Sequence, residues 1–200
     1  MTLTSKALLL TSALALFAAP AVAQSQGDWT FGIGVGSVDP KSDNGTLAGA
    51  AADIGSDEAL TLTFEYFIRD NIGIELLAAT PFEHEISLGG SPAATTKHLP
   101  PTLSVNYHFT NASPWKPYVG LGINYTTFFE EETGLGTLEL DDSFGISAQV
   151  GVDYKISDNG WLRANIRWFD IDTDASLNGA DIGTAEIDPF LFGVAYVHKF

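Results

Sequence analysis

Along most of this chain apolar residues return at every second position, the period of an extended strand whose successive side chains face opposite sides. The run from Asp188 to the last residue is the clearest: Phe190, Phe192, Val194, Tyr196 and Phe200 share one parity, broken by His198. Seven more runs precede it. Asp28 to Val38 sets Trp29, Phe31, Ile33 and Val35 against Thr30, Gly32, Gly34 and Gly36, and Ala59 to Ile68 sets Leu60, Leu62, Phe64 and Tyr66 against Thr61, Thr63 and Glu65. The same alternation marks Ile72 to Thr80, Leu99 to Phe109, Lys116 to Phe129, Ser143 to Ile156 and Trp161 to about Asp172.

In each run the second parity is small or polar. A strand with an apolar outer face and a small or polar inner face belongs in the wall of a membrane β-barrel. The pattern therefore predicts an all-β fold, an eight-stranded antiparallel transmembrane β-barrel. Connections after the second, fourth and sixth strands are short. They include Arg69-Asp70-Asn71 and the Asn-Gly hairpin signal in Ser157-Asp158-Asn159-Gly160. Those after the first, third, fifth and seventh are long. That rhythm implies short periplasmic turns, long extracellular loops and two periplasmic termini. A soluble barrel or sandwich with an apolar interior is the alternative. The Gly-rich second face and the terminal Phe200 weigh against it.

The first residues add an address. Met1 to Ala23 carries one early cation, Lys6, an apolar stretch from Ala7 to Ala19, and Ala21-Val22-Ala23 before the expected cleavage. Residues 1–23 thus read as a signal peptide and 24–200 as the barrel, bound for the outer membrane. No later segment offers the roughly 18 continuous apolar residues of a membrane helix. The chain has no cysteine, which removes disulfides and thiolate metal sites. Nine basic residues face 25 acidic ones. That acidity argues against nucleic acid as a partner, since phosphate binding calls for a basic stripe. With 45% hydrophobic residues the chain is nonetheless one that folds.

Eight strands enclose a lumen just wide enough to be filled by side chains. The inward parity carries Glu65, Glu75 and Asp153 together with Arg163, Arg167 and Lys199. Charges confined there must pair, so the six are expected to form a salt-bridged plug toward the periplasmic side. A solute from outside then stops, or leaves sideways through the wall. Pro81, Pro100, Pro101 and Pro189 mark places where a ladder bond is missing and the wall could open. Aromatics near strand ends are expected to form two interface girdles: Trp29, Tyr66, Tyr107, Phe109, Trp115, Tyr118, Tyr154, Trp161 and Phe200 on the turn side, and Phe82, Phe128, Phe129, Phe144, Trp168 and Phe190 on the loop side.

Most of the acids fall in the long connections. Asp170-x-Asp172-x-Asp174 resembles the first half of a calcium loop, but Ala175 replaces the glycine at position six and Asp181 the glutamate at position twelve. A solvated face is the default reading. His84, His98, His108 and His198 lack metal-ligand spacing, although His84 and His98 flank one long loop and could meet. No catalytic motif emerges, so the chain is not read as an enzyme, and neither a cofactor nor a metal is expected.

Several separated motifs carry a family resemblance. His98-Leu-Pro-Pro-Thr-Leu-Ser-Val-Asn-Tyr-His-Phe109 and Lys116-Pro-Tyr-Val-Gly-Leu-Gly-Ile-Asn-Tyr-Thr-Thr-Phe-Phe129 are followed by Leu140-Asp-Asp-Ser-Phe144, Gln149-Val-Gly-Val-Asp-Tyr154, Ile171-Asp-Thr-Asp-Ala175 and Ile187-Asp-Pro189. In this order they resemble the OmpW family of outer-membrane proteins, which includes the AlkL proteins. The resemblance implies an eight-stranded barrel whose apolar channel opens outward and is blocked toward the periplasm. It implies passive uptake of small hydrophobic molecules with lateral release, and the Gly- and Ala-rich loop from Asp39 to Asp57 is where members are expected to differ.

The expected partners are outer-membrane lipid and lipopolysaccharide, small hydrophobic solutes, and the barrel-assembly machinery through the C-terminal strand ending in Phe200. Phe82, Phe128 and Leu177 are the candidates for an apolar mouth. The rival reading is a structural or surface-binding barrel, one that meets a host surface, phage, partner protein or cation-bridged lipopolysaccharide without transport.

Overall fold

The computed structural model describes residues 24–200; the expected signal peptide, residues 1–23, lies outside the described residues. The chain runs through β1 (Trp29–Asp39), β2 (Thr46–Leu47), β3 (Ala50–Ile54), β4 (Asp57–Arg69) and β5 (Ile72–Ala79). It continues through β6 (Phe82–Leu88), β7 (Ser91–Leu99), β8 (Thr102–His108), β9 (Trp115–Thr133) and β10 (Leu138–Leu140). The remaining strands are β11 (Ser143–Lys155), β12 (Gly160–Phe169), β13 (Asp172–Leu177), β14 (Ala180–Glu186) and β15 (Phe190–Lys199).

Eight of these strands close a ring in the order β1, β4, β5, β8, β9, β11, β12, β15 and back to β1, with every neighbouring pair antiparallel. Closure satisfies every edge, which is what a sheet surrounded by hydrocarbon requires. These are the eight strands expected from parity. The fifth runs to Thr133, beyond the expected Phe129, whereas the fourth begins at Thr102 after Pro100 and Pro101, which have no N–H to give. On the outer wall Ile33, Leu60, Val105, Leu121, Phe144, Val150 and Val194 all stand exposed. Such a continuous apolar belt fits lipid.

The long connections are not simple loops. Above the ring β7, β6, β3 and β2 form an arc on the upper half of β9, and β10, β13 and β14 form a second arc. A bridge between Gly45 and Ala185 and a 2.8 Å bond from Ala48 N–H to the Ile182 carbonyl join the arcs. The result is a second storey standing on the barrel.

The inner face changes character between the storeys. Along β12 the inward residues Arg163 and Arg167 give way to Phe169; along β9 the inward Asn124 and Thr126 give way to Phe128. Val38, Leu47, Phe82, Ile86, Ile171 and Leu191 complete an apolar cluster that fills the upper interior. Lipid surrounds the lower storey, so apolar side chains point out. Charged side chains such as Glu83 and Glu85 line the outside of β6, so apolar residues there turn inward.

The girdles are corrected at both levels: Phe82 and Phe128 turn inward with this inversion, whereas Tyr118 and Trp161, in the lower storey, stand on the same inward parity as Lys116 and Arg163. Trp29, Tyr107, Phe109, Trp115, Tyr154 and Phe200 are exposed on the turn side, and Phe144 and Phe190 on the loop side. Tyr118, Trp161, Phe82 and Phe128 are buried and belong to the interior instead.

Candidate functional site

The lower lumen is filled by a charged floor. Arg163, on β12, donates from Nε to Asp153 at 2.8 Å and from Nη1 to Glu75 at 2.7 Å, with a longer contact to Glu65 at 3.4 Å. Arg167, four residues further along β12, donates to Glu75 at 2.5 Å and to the Gln149 side-chain carbonyl at 2.8 Å. Gln149 in turn donates to Asn106 at 2.7 Å, Asn106 to Glu65 at 2.9 Å, and His108 Nε2 to the same Glu65 oxygen at 2.8 Å. All five charged residues are at least 96% buried. Ions held that far from water are tolerated only when their charges and hydrogen bonds are answered nearby, as these are.

Glycines make room for the floor. A Cβ at Gly73 would overlap the Glu65 carboxylate, and one at Gly151 would sit 2.5 Å from the Tyr118 ring. Tyr118 lies between the His108 ring, 5.1 Å away centroid to centroid, and the Arg163 guanidinium, 4.6 Å from its own ring centre. The cation over the aromatic face adds attraction where no water competes.

Five of the six expected plug residues meet here. Lys199 does not: its ammonium pairs with Asp28 at the turn side, where β15 ends too low to reach the network. Asn106, His108, Tyr118 and Gln149, which charge alone did not single out, complete the floor. Each lies on the inward parity of its strand, and that was the signal available.

Above the floor lies the apolar interior. Of the residues expected at a mouth, Phe82 and Phe128 sit in its cluster, whereas Leu177 stands half-buried at the β13 tip beside Leu138 and Ala180. His84 and His98 do meet, and they meet inside. Their rings stack at 4.8 Å with planes 7° apart, each ring is only 2% exposed, and Phe82 stacks on His98 at 5.5 Å. His84 Nδ1 lies 2.5 Å from the Gly55 carbonyl, an acceptor only, so Nδ1 carries the proton and Nε2 is left as an acceptor. Among the described residues, neither His84 Nε2 nor either nitrogen of His98 bonds to another protein group. Burial pushes His84 below its ordinary pKa; burial and then the neighbouring His84 push His98 down to about 3. Both imidazoles are neutral at pH 7.

The wall beside this pair is incomplete. The β5–β8 ladder ends at Leu77 opposite Thr102, and the β6–β7 ladder starts at Phe82 opposite His98. Between them Ala78 to Pro81 faces Leu99 to Pro101 with no ladder pair. Pro81, Pro100 and Pro101 cannot donate, and the Pro100 and Pro101 carbonyls turn instead to Thr102 Oγ1 at 2.9 Å and to the Tyr125 N–H at 3.1 Å. The gap opens level with the junction of floor and apolar storey.

The Asp170–Asp174 series does not wrap as a calcium loop: Asp172 and Asp174 lie along strand β13, and Asp174 accepts from Thr184 across the pair at 2.7 Å. At the rim Lys41 bridges Glu186 at 2.5 Å and Asp188 at 3.1 Å, which raises its pKa further.

Comparison with known proteins agrees with this architecture. The sequence model of the OmpW family matches residues 25–200. Outer membrane protein W of Vibrio cholerae is 40% identical, over 93% of this chain and 94% of its own. The crystal structure of the outer membrane protein OprG from Pseudomonas aeruginosa superposes with a TM-score of 0.78 at 33% identity, covering 89% of this chain and 98% of that one. A third relative, the dibenzothiophene metabolism operon protein PahQ of Pseudomonas aeruginosa, is 28% identical over 86% of this chain and 88% of its own length.

Proposed function

The chain belongs to the OmpW family of outer-membrane β-barrels, and from that premise we propose that it is a passive channel for small hydrophobic molecules, taken in from the extracellular side and released sideways into the outer membrane. The observation that carries this reading is the gap in the wall between Ala78–Pro81 and Leu99–Pro101. It lies where an apolar interior meets a sealed, charged floor. A hydrophobic solute gains nothing by entering the floor, since it would have to separate paired buried ions. It gains by moving from the apolar storey through an apolar wall into hydrocarbon, a step that never exposes it to water.

Several features support this direction of travel. The loop-side storey supplies the apolar surface, and its interior is filled by its own side chains, so a solute advances by displacing them. PahQ bears a name tied to the metabolism of dibenzothiophene, itself a flat apolar molecule. In this reading residues 1–23 serve export, both termini face the periplasm, and the strand ending in Phe200 is the one the assembly machinery receives.

The test is uptake by intact cells with and without the gene, using a labelled alkane or terpene beside a small sugar. Faster arrival of the apolar probe alone is the expected result. Equal arrival of every probe would replace transport by a surface-binding or structural role.

A further inference from the structure

His84 and His98 stand out in a largely apolar interior because, unlike buried Asn44 and Thr173, they leave ring nitrogens without a partner among the described residues. A buried imidazole nitrogen without a partner forfeits the hydrogen bond it makes in water, and three such nitrogens stand together in this pair. Phenylalanine or leucine would fill the same space without that cost. The pair also has a particular address. His98 is two residues from Pro100, Phe82 follows Pro81, and the two are cross-strand partners at the first rung above the gap. Any solute that leaves through the gap passes these rings.

We propose that His84 and His98 form a polar subsite just inside the gap that engages the hydroxyl group of an amphipathic solute, the simplest being a straight-chain alcohol. The alcohol O–H donates to His84 Nε2, which the Gly55 carbonyl leaves as an acceptor. The nitrogens of His98 offer a further donor and acceptor, one of each in a neutral imidazole. The alkyl tail lies among Phe82, Phe128 and Ile86.

The surroundings select a neutral head. Phe82 packs against His98 from β6, Phe128 from β9, and Thr96 is the buried neighbour on β7. The charged group that acts on His84 is Asp57, an anion that opposes a carboxylate. Lys97, the cation nearest in sequence, pairs with Glu130 at 2.5 Å on the outer face. An alkane can displace and pack against the same apolar side chains but leaves all three nitrogens unpaired. The pair therefore favours alcohols over alkanes of equal length.

This inference rests on the uptake reading, and the experiment separates the two. Protein reconstituted into lipid bilayers would be compared with His98→Phe, which keeps a stacked ring, and with His84→Phe, each checked for the barrel's resistance to unfolding in unheated detergent. The measured quantity is the ratio of 1-decanol to decane transfer. The expected result is a ratio that falls by about five- to tenfold in either variant, the loss of roughly one hydrogen bond. A ratio that does not change, or equal loss of both probes, overturns the subsite and leaves the rings a packing role. In parallel, imidazole nitrogen resonances of the wild-type protein in bilayers should shift on adding 1-decanol and stay fixed on adding decane. Resonances indifferent to both would overturn the proposal even if transport is real. If the wild type moves neither probe, transport fails, and the resonance shifts alone decide the site.

Discussion

Arg163 and Glu75 meet at 2.7 Å although their strands, β12 and β5, stand opposite each other in the ring of eight, with three strands between them on either side. The bond therefore crosses the full width of the lumen. It ties the barrel together through its middle as well as around its wall.

Replacing Arg163 with Ala should leave Glu75 and Asp153 short of their cation and lower stability by about 3–5 kcal/mol, the cost of orphaning a buried ion pair. The unfolding midpoint in urea, in detergent or lipid, reads this directly. An unchanged midpoint would mean the cross-lumen bond is not part of what holds the barrel.

How far the sequence foretold this can be judged at single positions. The eight wall strands were legible because lipid on one side and a narrow lumen on the other enforce strict alternation, as in β15 from Phe190 to Tyr196. Glu65, Glu75, Asp153, Arg163 and Arg167 were legible as interior charges for the same reason. The upper storey was not. There the rule reverses, because water surrounds the strands, and Phe82 and Phe128 look like lipid-facing aromatics until their parity is followed up from Thr126 or across to His98. Lys199 shares the inward parity yet sits below the plug. Parity gives the side of the wall but not the height. The stacking of His84 on His98 depends on the β6–β7 register, which includes a bulge between Ile86 and Ser87 that spacing alone does not reveal.

Gly151 sets a second expectation. Even Ala at this position would press a methyl group into the Tyr118 ring, which His108 and Arg163 hold from both faces. Gly151→Ala should cost about 1–3 kcal/mol, the usual penalty of overpacking. Wild-type stability in that variant would show that Tyr118 has room to turn away.

The histidine pair makes the upper storey sensitive to acid. Both rings titrate lower in the folded protein than in an unfolded chain, so the unfolded state takes up more protons as pH falls. Their contribution is fully present above about pH 6.5 and is lost progressively toward about pH 3, where His98 finally titrates. Protection of the β6 and β7 amides, measured relative to the intrinsic exchange rate at each pH, should therefore decline as the pH is lowered through this range. In His98→Phe that decline should be smaller; an identical pH profile would assign the effect to other groups.

A chain without cysteine permits a clean staple across the gap. Cysteines in place of Ala79 and Pro100, once joined, should cut transfer of an apolar probe at least several-fold, and reductant should restore it. Undiminished transfer through the locked wall would send the exit elsewhere.

The ring is completed by β1 and β15, paired from Thr30 with Lys199 to Asp39 with Phe190. These are the earliest and the latest strands of the described chain, so closure brings together residues separated by nearly its whole length. Until that final pairing forms, any partly built wall carries two raw edges, each a row of unmatched N–H and C=O groups that hydrocarbon cannot satisfy. Closure is for this reason the condition of a stable place in the bilayer: lacking one wall strand at the same register, the protein is not a slightly smaller barrel but an open sheet whose edges hydrocarbon cannot satisfy.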